Sequence, residues 1–197
     1  MRRLTMLCVL MAFCLGALLC GCDQRNPRVL IKTELGDITV EIYVREAPVT
    51  ATNFVTYVRE GRFEGATFYR TVTMDNQPDN DIKIEVIQGG LKEDEDGRGL
   101  APIAHETTAR TGVLHKDGTI SMARLEPGTA SSEIFICVND QPELDFGGSR
   151  NPDGQGFAAF GQVIDGMDTV KKIQLQPADA QYLDPEIRIT GVMLLSE

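Results

Sequence analysis

The chain has 197 residues, 42% of them hydrophobic and 24% charged, which excludes a disordered polymer and suffices for one domain of ordinary size with its own core. The formal net charge is −10, and a nucleic-acid partner is excluded because phosphate backbones are bound by basic faces. Nineteen glycines favour a turn-rich, mainly β design over a helical bundle.

Met1-Arg2-Arg3 is a short basic start, and Leu4 to Leu19 is almost wholly apolar. That run of 16 residues falls short of the roughly 20 a spanning helix needs, so it reads as a targeting segment outside the fold. It leads into Leu19-Cys20-Gly21-Cys22. Leu-x-Gly-Cys resembles the lipobox of bacterial lipoproteins, with Cys20 as a departure at its second position. The resemblance implies a signal peptide over 1–21, cleavage before Cys22 and acyl chains on Cys22. It places the protein in the bacterial cell envelope, lipid-anchored to a membrane and facing the periplasm or outside. Several chains are needed because one alone binds marginally. Asp23, next in line, resembles an inner-membrane retention signal of some bacteria. Cys8, Cys14, Cys20 and Cys22 lie in this region and only Cys137 in the body, so acylation of Cys22 leaves no internal disulfide. Cys137 sits in an apolar run and is expected as a small core residue.

Residues 22–27 form the lipidated Cys and a short polar tether, and 28–197 the folded domain. Val29 to Glu34 and Ile38 to Tyr43 alternate around Leu35-Gly36-Asp37 and predict a hairpin. A helix follows, with Pro48 in its first turn, Ala51, Phe54, Val55 and Val58 on one face, and Gly61 as its stop. Beyond it, short apolar runs predict strands over Thr67–Val72, Lys83–Gln88, Thr119–Ala123, Glu133–Val138 and Ala158–Val163. Asp165 to Gln174 reads as a second helix with Met167, Val170 and Ile173 inward. Glu186 to Leu195 is a closing strand. Many short strands with two helices argue a closed β-barrel, which removes exposed edges.

Three segments carry a further resemblance. One is Thr67-Phe68-Tyr69-Arg70, followed by Val86-Ile87-Gln88-Gly89-Gly90. Another is Gly118-Thr119-Ile120-Ser121-Met122-Ala123, leading to Ser131-Ser132-Glu133-Ile134-Phe135-Ile136. The last is Leu144-Asp145, then Phe157-Ala158-Ala159-Phe160-Gly161-Gln162-Val163. Together with the hairpin and the Ala47–Phe54 helix they span Val29 to Leu195 in order, and they resemble the cyclophilin-type peptidyl-prolyl cis/trans isomerases.

The resemblance implies a closed eight-stranded antiparallel barrel capped by two helices, with no cofactor or metal requirement, acting as a monomer on X-Pro bonds of extracytoplasmic polypeptides and so assisting folding. Arg70 matches the family's catalytic Arg. Gln88 matches the Gln that binds the substrate backbone and orients that Arg. Val86, Phe135 and Leu144 match the apolar proline pocket. Ala123 matches a small pocket-side residue, and Arg124 stands where the family usually has a backbone-binding Asn. Phe157 replaces a frequent His and adds apolar surface. By strand alternation, Phe68 and Arg70 are expected on one face and Tyr69 on the other.

Other departures bear on efficiency. An Asp- and Asn-rich insertion, Thr73 to Lys83, separates Arg70 from Gln88 and is expected to overhang the groove without binding an ion tightly. Glu85 falls where the family usually has a pocket Phe, leaving Ile84 or Ile87 to fill the gap. Glu143 stands where a Trp is common, which alters binding of cyclosporin-like drugs, and Glu133 replaces a Gln. These departures motivate an alternative reading, a module or chaperone that binds Pro-containing segments with little isomerisation. A scaffold lipoprotein is a third reading. His105 and His115, ten apart with no Cys nearby, are expected in polar loop or capping roles rather than at a metal.

Overall fold

The computed structural model describes residues 26–92 and 97–196. The expected signal peptide and the lipidation site Cys22 lie outside the described residues. Among those described, no helix is long and apolar enough to cross a membrane.

The predicted hairpin is β1 (Arg28–Thr33) and β2 (Gly36–Ile42), paired antiparallel with Ile31 opposite Ile38. Helix α1 (Pro48–Arg59) starts at Pro48, as the ring's fixed φ allows. Its N-cap, Ala47, gives no side-chain hydrogen bond. The buried Glu106, far along the chain, accepts from the Thr50 backbone N–H and hydroxyl, both at 2.8 Å, and so satisfies a first-turn donor that the cap leaves open. At the other end Gly61 (φ 64°) takes the left-handed conformation, letting Gly61 and Arg62 donate to the carbonyls of Val58 and Tyr57.

The remaining elements are β3 (Thr67–Val72), β4 (Val86–Gly90), one-turn α2 (Thr108–Thr111), β5 (Thr119–Met122), β6 (Ile134–Cys137), β7 (Ala158–Asp165), α3 (Met167–Gln174), β8 (Ala178–Asp179) and β9 (Tyr182–Ser196). The sheet order is β1-β2-β7-β5-β6-β4-β3-β9-β8, and β1 also pairs with β9. Eight strands therefore close into an antiparallel barrel, with β8 as a short flap on β9. The closing strand begins at Tyr182 rather than Glu186, because Tyr182 pairs with both Asp179 of β8 and Arg70 of β3, and β4 begins at Val86 rather than Lys83, because the preceding residues belong to the loop that ends the insertion.

Alternation splits the apolar residues into two cores. Ile87, Ile120, Ile134, Ile136 and Phe160 point inside the barrel, where Phe54 of α1 and Val170 and Ile173 of α3 close its ends. The Phe54 ring lies 5.2 Å from Phe160 and 5.5 Å from Phe63, within the range of favourable aromatic contacts. Val72, Ile84, Val86, Phe135, Cys137 and Leu144 form a second cluster on the outer face, with Ala123 and Phe157 packed against it. Burial of apolar side chains outside a closed barrel marks the place where loops must cover the sheet.

Candidate active site

The outer cluster floors a cavity of about 270 Å³ lined by Arg70, Ile84, Val86, Gln88, Ala123, Arg124, Leu125, Phe135, Leu144, Arg150, Asn151 and Phe157. All eight residues singled out in the folded domain, Arg70, Val86, Gln88, Ala123, Arg124, Phe135, Leu144 and Phe157, meet there. Period-2 alternation explains the floor: Ile84, Val86 and Gln88 share the outer face of one segment, and Phe135 and Cys137 that of the next. In register, Gln88 lies opposite Phe135 on β6 and Arg70 on β3.

The expected sharing of a face by Phe68 and Arg70 is incorrect. Phe68 is fully buried inside the barrel, whereas Arg70 lines the outer cavity. A β-bulge is the cause: Phe68 pairs with Gly89 and Arg70 with Gln88, so Tyr69 is the extra residue. One inserted residue shifts the alternation and re-aims the next side chain.

Arg70 is half-buried and donates three hydrogen bonds that hold it in place. Its Nη1 donates to Gln88 Oε1 at 2.7 Å, and its Nε and Nη2 donate to Gln181 Oε1 at 3.0 and 2.5 Å. Burial holds its guanidinium somewhat below its ordinary pKa, without threatening its charge at any working pH. Gln88 Nε2 donates to Tyr69 Oη at 2.7 Å, and that hydroxyl donates to Glu133 Oε2 at 2.6 Å. Burial and the bond to Glu133 push the Tyr69 phenol well above its usual range, so it stays a donor. The chain Glu133–Tyr69–Gln88–Arg70–Gln181 thus fixes both which way the Gln88 amide faces and the plane of the guanidinium.

Arg124 differs from a free substrate-binding side chain. Its side chain is buried, forms a two-pronged ion pair with Asp153 at 2.8 and 3.0 Å, and donates to the Gly156 carbonyl. It also lies over the Phe157 ring, 5.3 Å from the centroid. Gly156 (φ 61°) is a close-approach position: a Cβ there would meet the Leu144 carbonyl and Asp145 backbone at 2.5 Å. Its absence lets Phe157 donate to Leu144 O at 2.9 Å and swing its ring edge-on to Phe135, 5.3 Å away.

Several site residues escaped the sequence reading. Ile84, named there only as one candidate to fill the missing aromatic, is buried in the floor, while Ile87 faces the barrel interior. Glu85 points away, its carboxylate accepting from Asn139 Nδ2 at 2.9 Å. His115, expected in a polar loop role, is fully buried. Its ring nitrogens meet Asp145 at 2.8 Å and Ser121 at 3.0 Å, and its face stacks on Phe135. Ser121 is itself fully buried and does not line the cavity, so this Ser-His-Asp chain supports the pocket instead of presenting a nucleophile. His105 Nε2 lies 3.2 Å from Gln155 O. The insertion is organised by the buried Gln77, which bonds Thr73 O, both polar backbone groups of Ile84, and Arg150. Among the described residues no group of three His, Cys, Asp or Glu is placed to hold a metal.

The family model described as cyclophilin type peptidyl-prolyl cis-trans isomerase/CLD matches residues 28–193. A peptidyl-prolyl cis-trans isomerase of Acinetobacter baylyi is 35% identical over 189 residues, covering 94% of this chain and 92% of that protein. Peptidyl-prolyl cis-trans isomerase B of Escherichia coli is 33% identical over 147 residues, covering 74% of this chain and 83% of that protein. The crystal structure of a cyclophilin type peptidyl-prolyl cis-trans isomerase of Cryptosporidium parvum superposes with a TM-score of 0.70 at 22% identity, covering 87% of this chain and 99% of that one. The closed antiparallel barrel is the fold shared with that cyclophilin-type structure. The chain belongs to the cyclophilin-type peptidyl-prolyl cis-trans isomerase family, and its activity is that of a peptidylprolyl isomerase.

Proposed function

We propose that this chain is an envelope lipoprotein that accelerates X-Pro rotation in extracytoplasmic polypeptides and so assists their folding, with Arg70 as its catalytic residue. The observation that carries the assignment of Arg70 is its guanidinium, fixed by Gln88 and Gln181 at the edge of an apolar cavity floored by Ile84, Val86, Phe135 and Leu144.

The amide barrier of about 18–20 kcal/mol comes from C–N resonance, and uncatalysed exchange takes tens to hundreds of seconds. As the bond twists, the proline nitrogen loses resonance and becomes a hydrogen-bond acceptor. The ring is held by the apolar floor, Gln88 holds the substrate backbone, and Arg70 donates to the nitrogen only in the twisted state. Stabilisation confined to that state is what lowers the barrier. The aliphatic Ile84 supplies the floor where an aromatic was expected, which favours catalysis over the binding-module reading.

The test is exchange between cis and trans signals of a proline peptide by NMR. Wild type should accelerate exchange and folded Arg70→Ala should not; equal rates would remove Arg70 from the chemistry. Anchoring rests on Leu19-Cys20-Gly21-Cys22 after the apolar run. Cells fed a fatty-acid analogue should label the wild type and not Cys22→Ser, and undiminished labelling of the variant would reject the anchor.

A further inference from the structure

Three arginines line the cavity, and no acidic residue does. Arg124 is neutralised by Asp153. Arg70 and Arg150 are not neutralised: Arg70 bonds the amide oxygens of Gln88 and Gln181, and Arg150 Nη1 bonds Gln77 Oε1 at 2.9 Å and the Ile82 carbonyl at 2.5 Å. Every one of these acceptors is neutral. Among the described residues no carboxylate pairs with either guanidinium, and Nε and Nη2 of Arg150 make no hydrogen bond.

The two cations also share a second recess of about 410 Å³ that adjoins the first. Asn76 to Asn80 of the insertion and Ala180 to Tyr182 complete its wall. Asp79 is the one acidic residue along it, and it is exposed. Burial, and then the positive charge of Arg70, hold the Arg150 guanidinium below its ordinary pKa, as expected for two like charges in one half-buried place. Such a pair is costly in an apo protein, and the chain's net charge of −10 means it does not belong to a generally basic surface. Fixed planar donors with spare N–H groups match a carboxylate, which accepts at both oxygens.

We propose that the groove selects prolines flanked by an acidic residue, whose side-chain carboxylate is received between Arg70 and Arg150. This specificity rests on the isomerase reading above. Arg150 sits on the loop after Leu144 and is held by the insertion, so the selectivity is carried by the segment that distinguishes this chain. Repulsion from Asp79 would bar the carboxylate from the outer wall of the recess and leave it at the two arginines.

The test uses the full chain, purified in detergent, and pairs of end-blocked proline peptides differing only by Glu or Gln at the two positions on either side of the proline. Cis/trans exchange is followed by NMR at sub-saturating peptide. At low salt the Glu peptide of at least one pair should exchange about three- to tenfold faster than its Gln partner. The ratio should fall towards one at high salt, fall likewise in Arg150→Gln, and persist in Arg150→Lys, which keeps the charge. Equal exchange of every pair by an active wild type overturns the proposal, as does a preference that survives in Arg150→Gln. If Arg150→Gln loosens the insertion and fails to fold, the salt series on wild type decides: a preference insensitive to salt rejects the ion pair. Failure to exchange any peptide would instead defeat the isomerase reading. Shift titrations of the same pairs would then still read whether the acidic peptide binds more tightly, and equal affinities would reject the selectivity too.

Discussion

Arg70 donates through both Nε and Nη2 to a single oxygen, Oε1 of Gln181, while Gln181 Nε2 donates to Asn76 O at 3.1 Å. Gln181 stands in the turn between β8 and β9, 111 residues along the chain from its partner, and it ties the guanidinium to the insertion. With Arg70 as the proposed catalytic residue, Gln181 would be a positioning residue, because its amide oxygen holds that guanidinium. Arg70→Ala should lower the maximal exchange rate by about 10²–10³, the loss typical of one preorganised donor. Gln181→Ala should lower kcat by about five- to tenfold with KM unchanged, since a hydrogen bond to a charged group is being removed. A change confined to KM would show that Gln181 shapes binding instead of the arginine.

The fold was largely legible because alternation in the strands and the helical faces of α1 and α3 are strong, local signals. Ala51, Phe54, Val55 and Val58 are all buried, as their spacing predicts. The site was legible only through the resemblance, since Phe135 and Leu144 look like ordinary core residues by type. Two features were not readable. The bulge at Tyr69 leaves no compositional mark, and it is what turns Arg70 outward. Gln181 and Arg150 lie in irregular segments whose partners are distant in sequence, and a polar residue in a turn gives no sign of what it will meet. Gln77 was hidden in the same way inside an Asp- and Asn-rich loop that reads as merely solvated.

His115 does not line the cavity but supports Phe135, a residue of its floor. Its ring is 5.8 Å from Phe135 with only 13° between planes, and its two nitrogens are held by Asp145 and Ser121. His115→Ala should cost about 2–4 kcal/mol, from the cavity and from buried polar partners left unsatisfied. Urea unfolding would measure it. In the folded fraction, peptide affinity should weaken while maximal exchange falls little, because Arg70 is untouched.

The Arg124–Asp153 clamp predicts an acid-side dependence. Hydrogen bonds from Arg124 and from the Gln155 backbone hold the Asp153 carboxyl below its ordinary value of 3.8. A folded-state pKa that is depressed adds stability above the unfolded value, and that stability is lost as pH falls through the folded one. The urea midpoint of wild type should therefore exceed that of Asp153→Asn by a constant margin above pH 3.8, and the margin should shrink on further acidification. A margin that grows towards low pH would show that the fold raises the Asp153 pKa instead of lowering it.

The cavity floor beside Gln88 is aliphatic at position 84. Ile84 is 6% exposed and packs with Val86, Phe135 and Leu144, whereas the Glu85 carboxylate turns to Asn139. Adjacent residues on an extended segment face opposite ways, so one of them alone can serve the pocket. Ile84→Ala should raise KM for proline peptides several-fold and destabilise the fold by about 2–4 kcal/mol, as for other buried aliphatic truncations. Ile84→Phe restores an aromatic surface at the right place and should lower KM if the floor can accommodate the ring. Glu85→Phe should leave KM unchanged, because the new ring would follow the direction of the present side chain, away from the groove. Peptide titration of the three variants decides: tighter binding in Glu85→Phe with none lost in Ile84→Ala would move the pocket residue back to position 85.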